Sequence, residues 1–321
     1  MKGIQFTRQL LSAIAGIVLL VTFISCNPEP EKISFAVCAD VHRDIMYDTE
    51  DRLKEFIKAA TDFHADFIIH LGDFCCPYEK NQSFLDIWNS FEGEKYHVMG
   101  NHYTDGGFTK QETIDFWNSK GQYYSFDNNN FHLVVLSGND VNPATEKSSG
   151  YPFYIGKKQQ EWLEQDLRST DKKVIIFSHQ PLETKEGIEN SEEIMNILNA
   201  ANEEAGFTKV IACFSGHFHS DYYKKINGIY FIQINSMSYQ WLGKRNESPG
   251  YSKETYAQFP NLLYTAPYKD PVYGLVTIDE RSIHIEGRKT EFVGLTPEEL
   301  GITNENTPMP SVSDRDLLLA E

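Results

Sequence analysis

Asp40, His42, Asp73, Asn101, His102, His179, His217 and His219 carry oxygen or imidazole nitrogen, and each stands at or just beyond the end of a short apolar run. The run 33–39 leads into Asp40 and His42, the run 67–71 into Gly72-Asp73, and the run 96–99 into Gly100-Asn101-His102. Likewise 174–177 leads into Ser178-His179, and 210–214 into Gly216-His217-Phe218-His219. With His102 set aside, two Asp, one Asn and four His form a donor set suited to borderline divalent metals such as Mn, Fe, Co or Zn. The set is too rich in nitrogen for calcium and lacks the cysteine pattern of a structural zinc site. Seven donors exceed one ordinary transition-metal site, and they suffice for two ions that share a carboxylate. Gly72, Gly100 and Gly216 allow sharp turns and close approach of backbone to a bound group. An isolated histidine is usually structural, and His64, His70, His97, His132 and His284 are read that way.

These residues need elements that bring distant strand ends together. Strands are expected over 33–38, 67–71, 96–99, 123–126, 131–137, 173–178 and 210–214, with helices over 52–63, 84–91, 111–118, 158–167 and 191–201. Leu53, Phe56, Ile57 and Ala60 share one face of the first helix, and residues 127–130 read as a hairpin turn. The alternation predicts an α/β fold on central sheets, in which ligands gather at the carboxyl ends of strands. Strands over 228–235, 274–279 and 282–287 lack intervening helices and predict a second, more antiparallel sheet layered on the first. Segment 236–273 is rich in aromatics; it either covers a sheet edge or, through Tyr239 and Trp241, forms a rim that stacks on a base or sugar. The loop 138–156, with Asn139, Asp140 and Tyr151, is a candidate second wall. Cys38, Cys75, Cys76 and Cys213 read as small apolar packing residues rather than metal thiolates.

The chain has 321 residues and a net charge of −17, from 29 Lys plus Arg against 46 Asp plus Glu. That balance disfavours broad nucleic-acid binding and attachment through a polybasic surface. An apolar fraction of 40% supports a sizeable core, and 5 cysteines in this length do not make a disulfide scaffold. Lys2 and Arg8 precede an apolar run over 10–25, followed by Cys26, in the order of a secretory signal. The run is shorter than the roughly 20 residues of a membrane span. Phe23-Ile24-Ser25-Cys26 resembles a bacterial lipobox, which implies a signal over 1–25, an acylated Cys26, a tether over 26–32 and a lipid-anchored place in the cell envelope. Removing 1–25 takes away two cations and no acid, leaving a net charge of −19. The main domain is expected over 33–295 and an acidic tail over 296–321.

Asp40-Val41-His42, Gly72-Asp73, Gly100-Asn101-His102, Ser178-His179 and Gly216-His217-Phe218-His219 resemble, in this order, the five blocks of the calcineurin-like metallophosphoesterases. The likeness runs over residues 33–235. It implies a four-layer α/β/β/α sandwich with two divalent ions (Mn, Fe or Zn) at its rim. By this resemblance Asp40, His42 and His219 hold one ion, Asn101, His179 and His217 the other, and Asp73 bridges them. Two close cations clamp the attacking and leaving oxygens of phosphoryl displacement and activate a shared water. His102 is then the catalytic candidate that protonates the leaving oxygen or stabilises the transition state. Two positions depart from the pattern. Tyr103 replaces the usual acid after Gly-Asn-His, with Asp105 a possible substitute, and Cys76 stands where Asp or Asn is common. The reading is a lipid-anchored hydrolase of phosphoesters or phosphoanhydrides, acting on a small nucleotide, sugar or lipid-head-group phosphate. A non-catalytic surface-binding lipoprotein and a metal-dependent nuclease are the alternatives.

Overall fold

β1 (Ile33–Cys38) is apolar and buried at every position except Ser34, the pattern of a strand covered on both faces. Phe35 and Val37 enter a core between two sheets, whereas Ala36 and Cys38 enter a core beneath helices, as alternation along a strand requires. The computed structural model describes residues 32–145, 150–302 and 309–319. The expected signal and Cys26 lie outside the described residues. Among the described residues no helix is long and apolar enough to cross a membrane.

β2 (Phe67–His70) and β3 (Glu94–His97) extend β1 in parallel. A second sheet takes β4 (Tyr124–Asn128), β5 (Phe131–Val135), β6 (Lys173–Phe177), β7 (Val210–Ser215), β8 (Tyr222–Ile226) and β9 (Ile229–Gln233). Its order is β4-β5-β6-β7-β9-β8, parallel at the centre and antiparallel at both edges. β10 (Tyr239–Trp241) and β11 (Thr265–Pro267) form a short antiparallel pair. β12 (Gly274–Ile278), β13 (Ser282–Gly287) and β14 (Arg315–Leu318) then return to the first sheet, giving β14-β13-β12-β1-β2-β3. The late strands therefore do not build a separate antiparallel sheet. β9 joins the second sheet, and β12 pairs onto the free edge of β1, where an antiparallel strand satisfies the same backbone groups, with β13 added beyond it. The segment read as a tail supplies β14. Its Arg315 is buried against Asp221, and Asp221 also accepts the Ser313 amide at 2.9 Å.

Helices close the outer faces. Leu53 and Phe56 of α1 (Thr49–Asp62), Phe84 and Trp88 of α2 (Gln82–Asn89) and Trp117 of α3 (Lys110–Trp117) pack on Ala36 and Ile68. Leu163 and Leu167 of α4 (Lys157–Arg168) and Ile194 and Leu198 of α5 (Ser191–Ala205) pack on Val134, Ile176 and Cys213. The result is the four-layer α/β/β/α sandwich. Between the sheets, Phe35 stacks on Phe67 at 4.9 Å and meets Phe177 and Phe214 edge-on at 5.6 Å. Each such pair adds roughly 0.5–1.5 kcal/mol beyond its buried area.

His132, at the start of β5, shows what a structural histidine does here. Its Nδ1 lies 2.6 Å from Asp127 Oδ1 and its Nε2 2.9 Å from Asp166 Oδ2. Lys172 also binds Asp127, and Ser125 donates to Asp166. Two carboxylates need two ring donors, so the charged imidazolium fits. Burial opposes that charge, but the hydrogen bonds to Asp166 and Asp127 outweigh it and raise the pKa above its ordinary value of 6.5. A raised folded-state pKa gives stability that is complete below the unfolded value and lost as pH rises through the folded one. His132→Gln should therefore cost about 2 kcal/mol at pH 5.5, or about 3–4 °C in Tm for a chain of this size. The gap between wild type and variant should narrow above pH 6.5; thermal melts that show a pH-independent gap would refute the charged form.

Candidate metal centre

The five strand ends converge on one rim between the two sheets. Asp40, His42, Asp73, His217 and His219 have φ of 50, 53, 47, 75 and 48°, and they are five of the nine non-glycine residues with positive φ among the described residues. Left-handed backbone costs such residues roughly 1–3 kcal/mol each. The loops hold one another in place: the Asp40 amide donates to Gly72 O, His42 to Asp73 O, and Gly216 to His179 O, at 3.2, 2.9 and 2.9 Å. A Cβ on Gly100 would lie 2.2 Å from the Asp73 amide nitrogen and Oδ1, and one on Gly72 would lie 2.4 Å from His179 Nδ1. Glycine at these positions is what lets the loops close to this distance.

The first donor set is Asp40, His42 and His219, whose facing atoms all lie within 4.8 Å of one another. His219 Nδ1 sits 2.9 Å from the Tyr239 carbonyl, so it carries the proton and Nε2 offers a lone pair. That Nε2 is 3.2 Å from His42 Nε2 and 3.4 Å from Asp40 Oδ1. Asp40 is fully buried; its Oδ2 accepts the His217 amide at 2.9 Å, and its Oδ1 has no hydrogen-bond partner. A buried carboxylate oxygen without a donor is costly unless a cation meets it. Burial also pushes the His42 pKa down to about 3, so its ring presents a lone pair at neutral pH.

The second set is built the same way. His179 Nδ1 donates to Leu71 O at 2.7 Å, which turns Nε2 toward Asn101 Oδ1 at 2.9 Å, Asp73 Oδ2 at 3.2 Å and His217 Nδ1 at 3.2 Å. Three atoms with lone pairs thus crowd around one nitrogen. Without a cation a proton takes that place: although burial opposes it, Asp73 and Asp40 push His179 up to about 9. Burial pushes His217 down to about 4. Asp73 faces both sets through Oδ2, 3.9 Å from His42 Nε2 and 3.2 Å from His179 Nε2, while Oδ1 accepts the His102 amide at 2.9 Å. The donor chemistry fits two divalent ions sharing one carboxylate oxygen.

His102 stands beside Asp73, with Nε2 3.9 Å from Oδ2, and its Nδ1 donates to Asp105 Oδ2 at 2.7 Å. Asp105 therefore supplies the acid that Tyr103 does not. Tyr103 is itself 8% exposed. The Cys76 thiol lies 3.5 Å from the His102 carbonyl, and its amide donates to Asp44 at 2.9 Å. Burial raises the thiols of Cys38, Cys75, Cys76 and Cys213, all four free and buried; they pack and none joins a donor set. Over both sets opens a cleft of about 660 Å³ whose wall includes Tyr151, Phe218, Gln240, Trp241, Lys244 and Asn261.

Tyr239 does not form the expected stacking rim. It is 1% exposed, its ring packs on His42 and His219 at 5.1 Å, and its carbonyl orients His219. Trp241, two residues on at the end of β10, is 38% exposed. The orienting carbonyls of Leu71 and Tyr239 are backbone groups, for which no residue type could have been a signal. If the two sets hold ions, Mn in 100-fold excess over its Kd should stabilise the protein by about 2.7 kcal/mol for each site filled. Metal analysis should find about two ions per chain in the wild type, about one in Asp40→Asn and fewer in Asp73→Ala. Two ions retained in Asp40→Asn would remove Asp40 from the donor set.

A sequence model of the family described as Calcineurin-like phosphoesterase matches residues 33–221. A manganese-dependent ADP-ribose/CDP-alcohol diphosphatase of Oryza sativa subsp. japonica is 26% identical over 210 residues, covering 48% of this chain and 62% of that protein. The chain thus spans less than two thirds of that relative's length. Among solved structures, a dimetal phosphatase from Danio rerio superposes with a TM-score of 0.57 at 15% identity, over 82% of this chain and 98% of the other. GAP50, the anchor in the inner membrane complex of Plasmodium, does so with 0.53 at 13% identity, over 90% of each chain. At these identities the two structures show the fold. The family match covers more than half of the chain and contains all five residue blocks of the rim, and this chain belongs to the calcineurin-like phosphoesterases, hydrolases that use two divalent metal ions.

Proposed function

We propose that the protein hydrolyses a phosphoanhydride or phosphoester bond of a small phosphorylated molecule, with a nucleoside diphosphate derivative as the favoured class. One observation carries the reading: two donor sets share Asp73 Oδ2, and His102 Nε2 stands 3.9 Å from that oxygen in the same cleft. Asp40, His42 and His219 would hold one divalent ion and Asn101, His179 and His217 the other, with Asp73 between them. When bound, the ions supply Lewis-acid polarisation of the phosphoryl oxygens and activation of water near neutral pH.

The chain's own groups do the rest. His102 keeps its Nδ1 proton on Asp105 and presents Nε2 to the cleft. As water oxygen bonds to phosphorus and the phosphorus–oxygen bond of the leaving group breaks, the leaving oxygen takes the Nε2 proton of His102. A proton released by the attacking water restores the acid. Burial of Asp40, His42 and Asp73 beneath the cleft keeps bulk water from competing with the donor atoms.

The diphosphatase activity in the name of the rice relative supports the nucleotide class. The cleft supports a small substrate: Lys244 is the single Lys or Arg among its described lining residues, too little for a track along a nucleic-acid backbone. We place the protein on the bacterial cell envelope through acylated Cys26, on the strength of the leader sequence alone; metabolic lipid labelling lost in Cys26→Ala tests it. Mn-loaded protein should cleave ADP-ribose or a CDP-alcohol faster than a simple monoester. His102→Ala should keep its metal and lose about 10²–10⁴-fold in turnover. Undiminished turnover in His102→Ala would overturn the role of His102, and inactivity on every ester and anhydride would overturn the function.

A further inference from the structure

We propose that Tyr151 is a positioning residue for His102, acting through Asp105; this rests on the reading of His102 as the acid. Asp105 has two carboxylate oxygens and each receives one donor. Oδ2 takes Nδ1–H of His102 at 2.7 Å, and Oδ1 takes the hydroxyl of Tyr151 at 2.7 Å. The phenol oxygen is also 3.2 Å from His102 Nδ1, and the Tyr151 and imidazole rings lie 4.8 Å apart between centroids. His102 is thus gripped along one edge and free along the other, where Nε2 faces Asp73.

Asp105 cannot hold that position alone. Its side chain is 45% exposed, and it sits at the break of the turn Asn101–Gly107, with ψ of 133° followed by Gly106 and Gly107 at φ 82 and 84°. An exposed carboxylate beside two glycines exchanges its partners with water readily. Tyr151 comes from a separately fastened segment. Tyr154 donates its amide to Gly138 O at 2.7 Å and accepts that of Asp140 at 3.0 Å, while Phe153 O accepts the Glu189 amide at 2.8 Å. Those anchors follow β5 and precede α5, on the second sheet, whereas His102 and Asp105 follow β3, on the first. The hydroxyl therefore ties the acid to the opposite wall of the cleft. A tyrosine serving only as a wall would need no partner for its hydroxyl; this one directs it at Asp105.

The consequence is selective. A well-aimed proton matters most when the leaving oxygen is basic and least when it departs readily as an anion. Tyr151→Phe keeps the ring and removes the one hydrogen bond. With aryl and alkyl esters of one nucleoside monophosphate, it should lower kcat about tenfold for poor leaving groups. It should leave 4-nitrophenyl esters and KM within about twofold. Asp105→Asn should act in the same direction by about 10–100-fold, and adding Tyr151→Phe to it should cost little more, because both act on one bond. Metal content should match the wild type in all three. In metal-free protein, the downfield proton resonance of His102 Nδ1–H should be sharp in the wild type, exchange faster with water in Tyr151→Phe and vanish in Asp105→Asn. An equal slowing of all esters in Tyr151→Phe, no slowing at all, or an unchanged Nδ1–H resonance would overturn the proposal. If the wild type cleaves no ester, the proposed activity falls, and the resonance still decides whether Tyr151 holds Asp105 against His102.

Discussion

A single carboxylate oxygen, Asp73 Oδ2, organises this molecule. It must face His179 on one side and His42 on the other, and those imidazoles come from opposite sheets. Three constraints follow from that crossing point. The sheets must lie face to face with their strand ends on one rim, the loops must approach closely enough that only glycine fits at Gly72 and Gly100, and five neighbouring residues must accept left-handed backbone. None of these arrangements is favourable in isolation. They persist because the aromatic core around Phe35 fixes the sheets and because the rim loops hydrogen-bond to one another.

The parts of this design that depend on local chemistry were legible in the sequence. Asp40-Val41-His42 and Gly216-His217-Phe218-His219 are legible as members of a set: one apolar run ending at an imidazole is usually structural, and five in succession that end at oxygen or imidazole donors are not. The structure brings all eight flagged residues to one rim, His102 included. The destination of the late strands was not legible. β12 and β13 carry an ordinary alternating pattern, and such a strand satisfies its backbone equally well on either sheet; the open edge of β1 decides it. The choice left open for Tyr239 has a similar reason: an aromatic near a site looks the same in sequence whether it faces the cleft or the core, and here its ring is buried against His42 and His219. Asp105 could be named from its spacing, but the hydroxyl that steadies it comes from 46 residues away across the fold.

The two faces of the protein's charge are now separable. The chain carries a large excess of acid over base, yet at the rim Asp40 and Asp73 are fully enclosed or nearly so and lie against imidazoles. Their field is confined to the cavity they share, where low polarisability makes each contact strong. The outer acidity governs which large partners approach, while the rim chemistry governs what is bound there. Two divalent ions held there would offset those carboxylates and attract a phosphate locally, in a protein whose outer acidity disfavours polyanions at longer range.

The ion pair between Asp221 and Arg315 ties this local chemistry to the order in which the chain is made. Asp221 lies two residues beyond His219, and the guanidinium that meets it arrives 94 residues later, on β14. While the ribosome is still working through that interval, Asp221, which follows the loop bearing His217 and His219, lacks its counter-charge and the first sheet lacks its edge strand. Translation thus reaches the imidazoles well before it supplies the strand that braces them. A nascent chain would carry a half-braced rim through that whole interval.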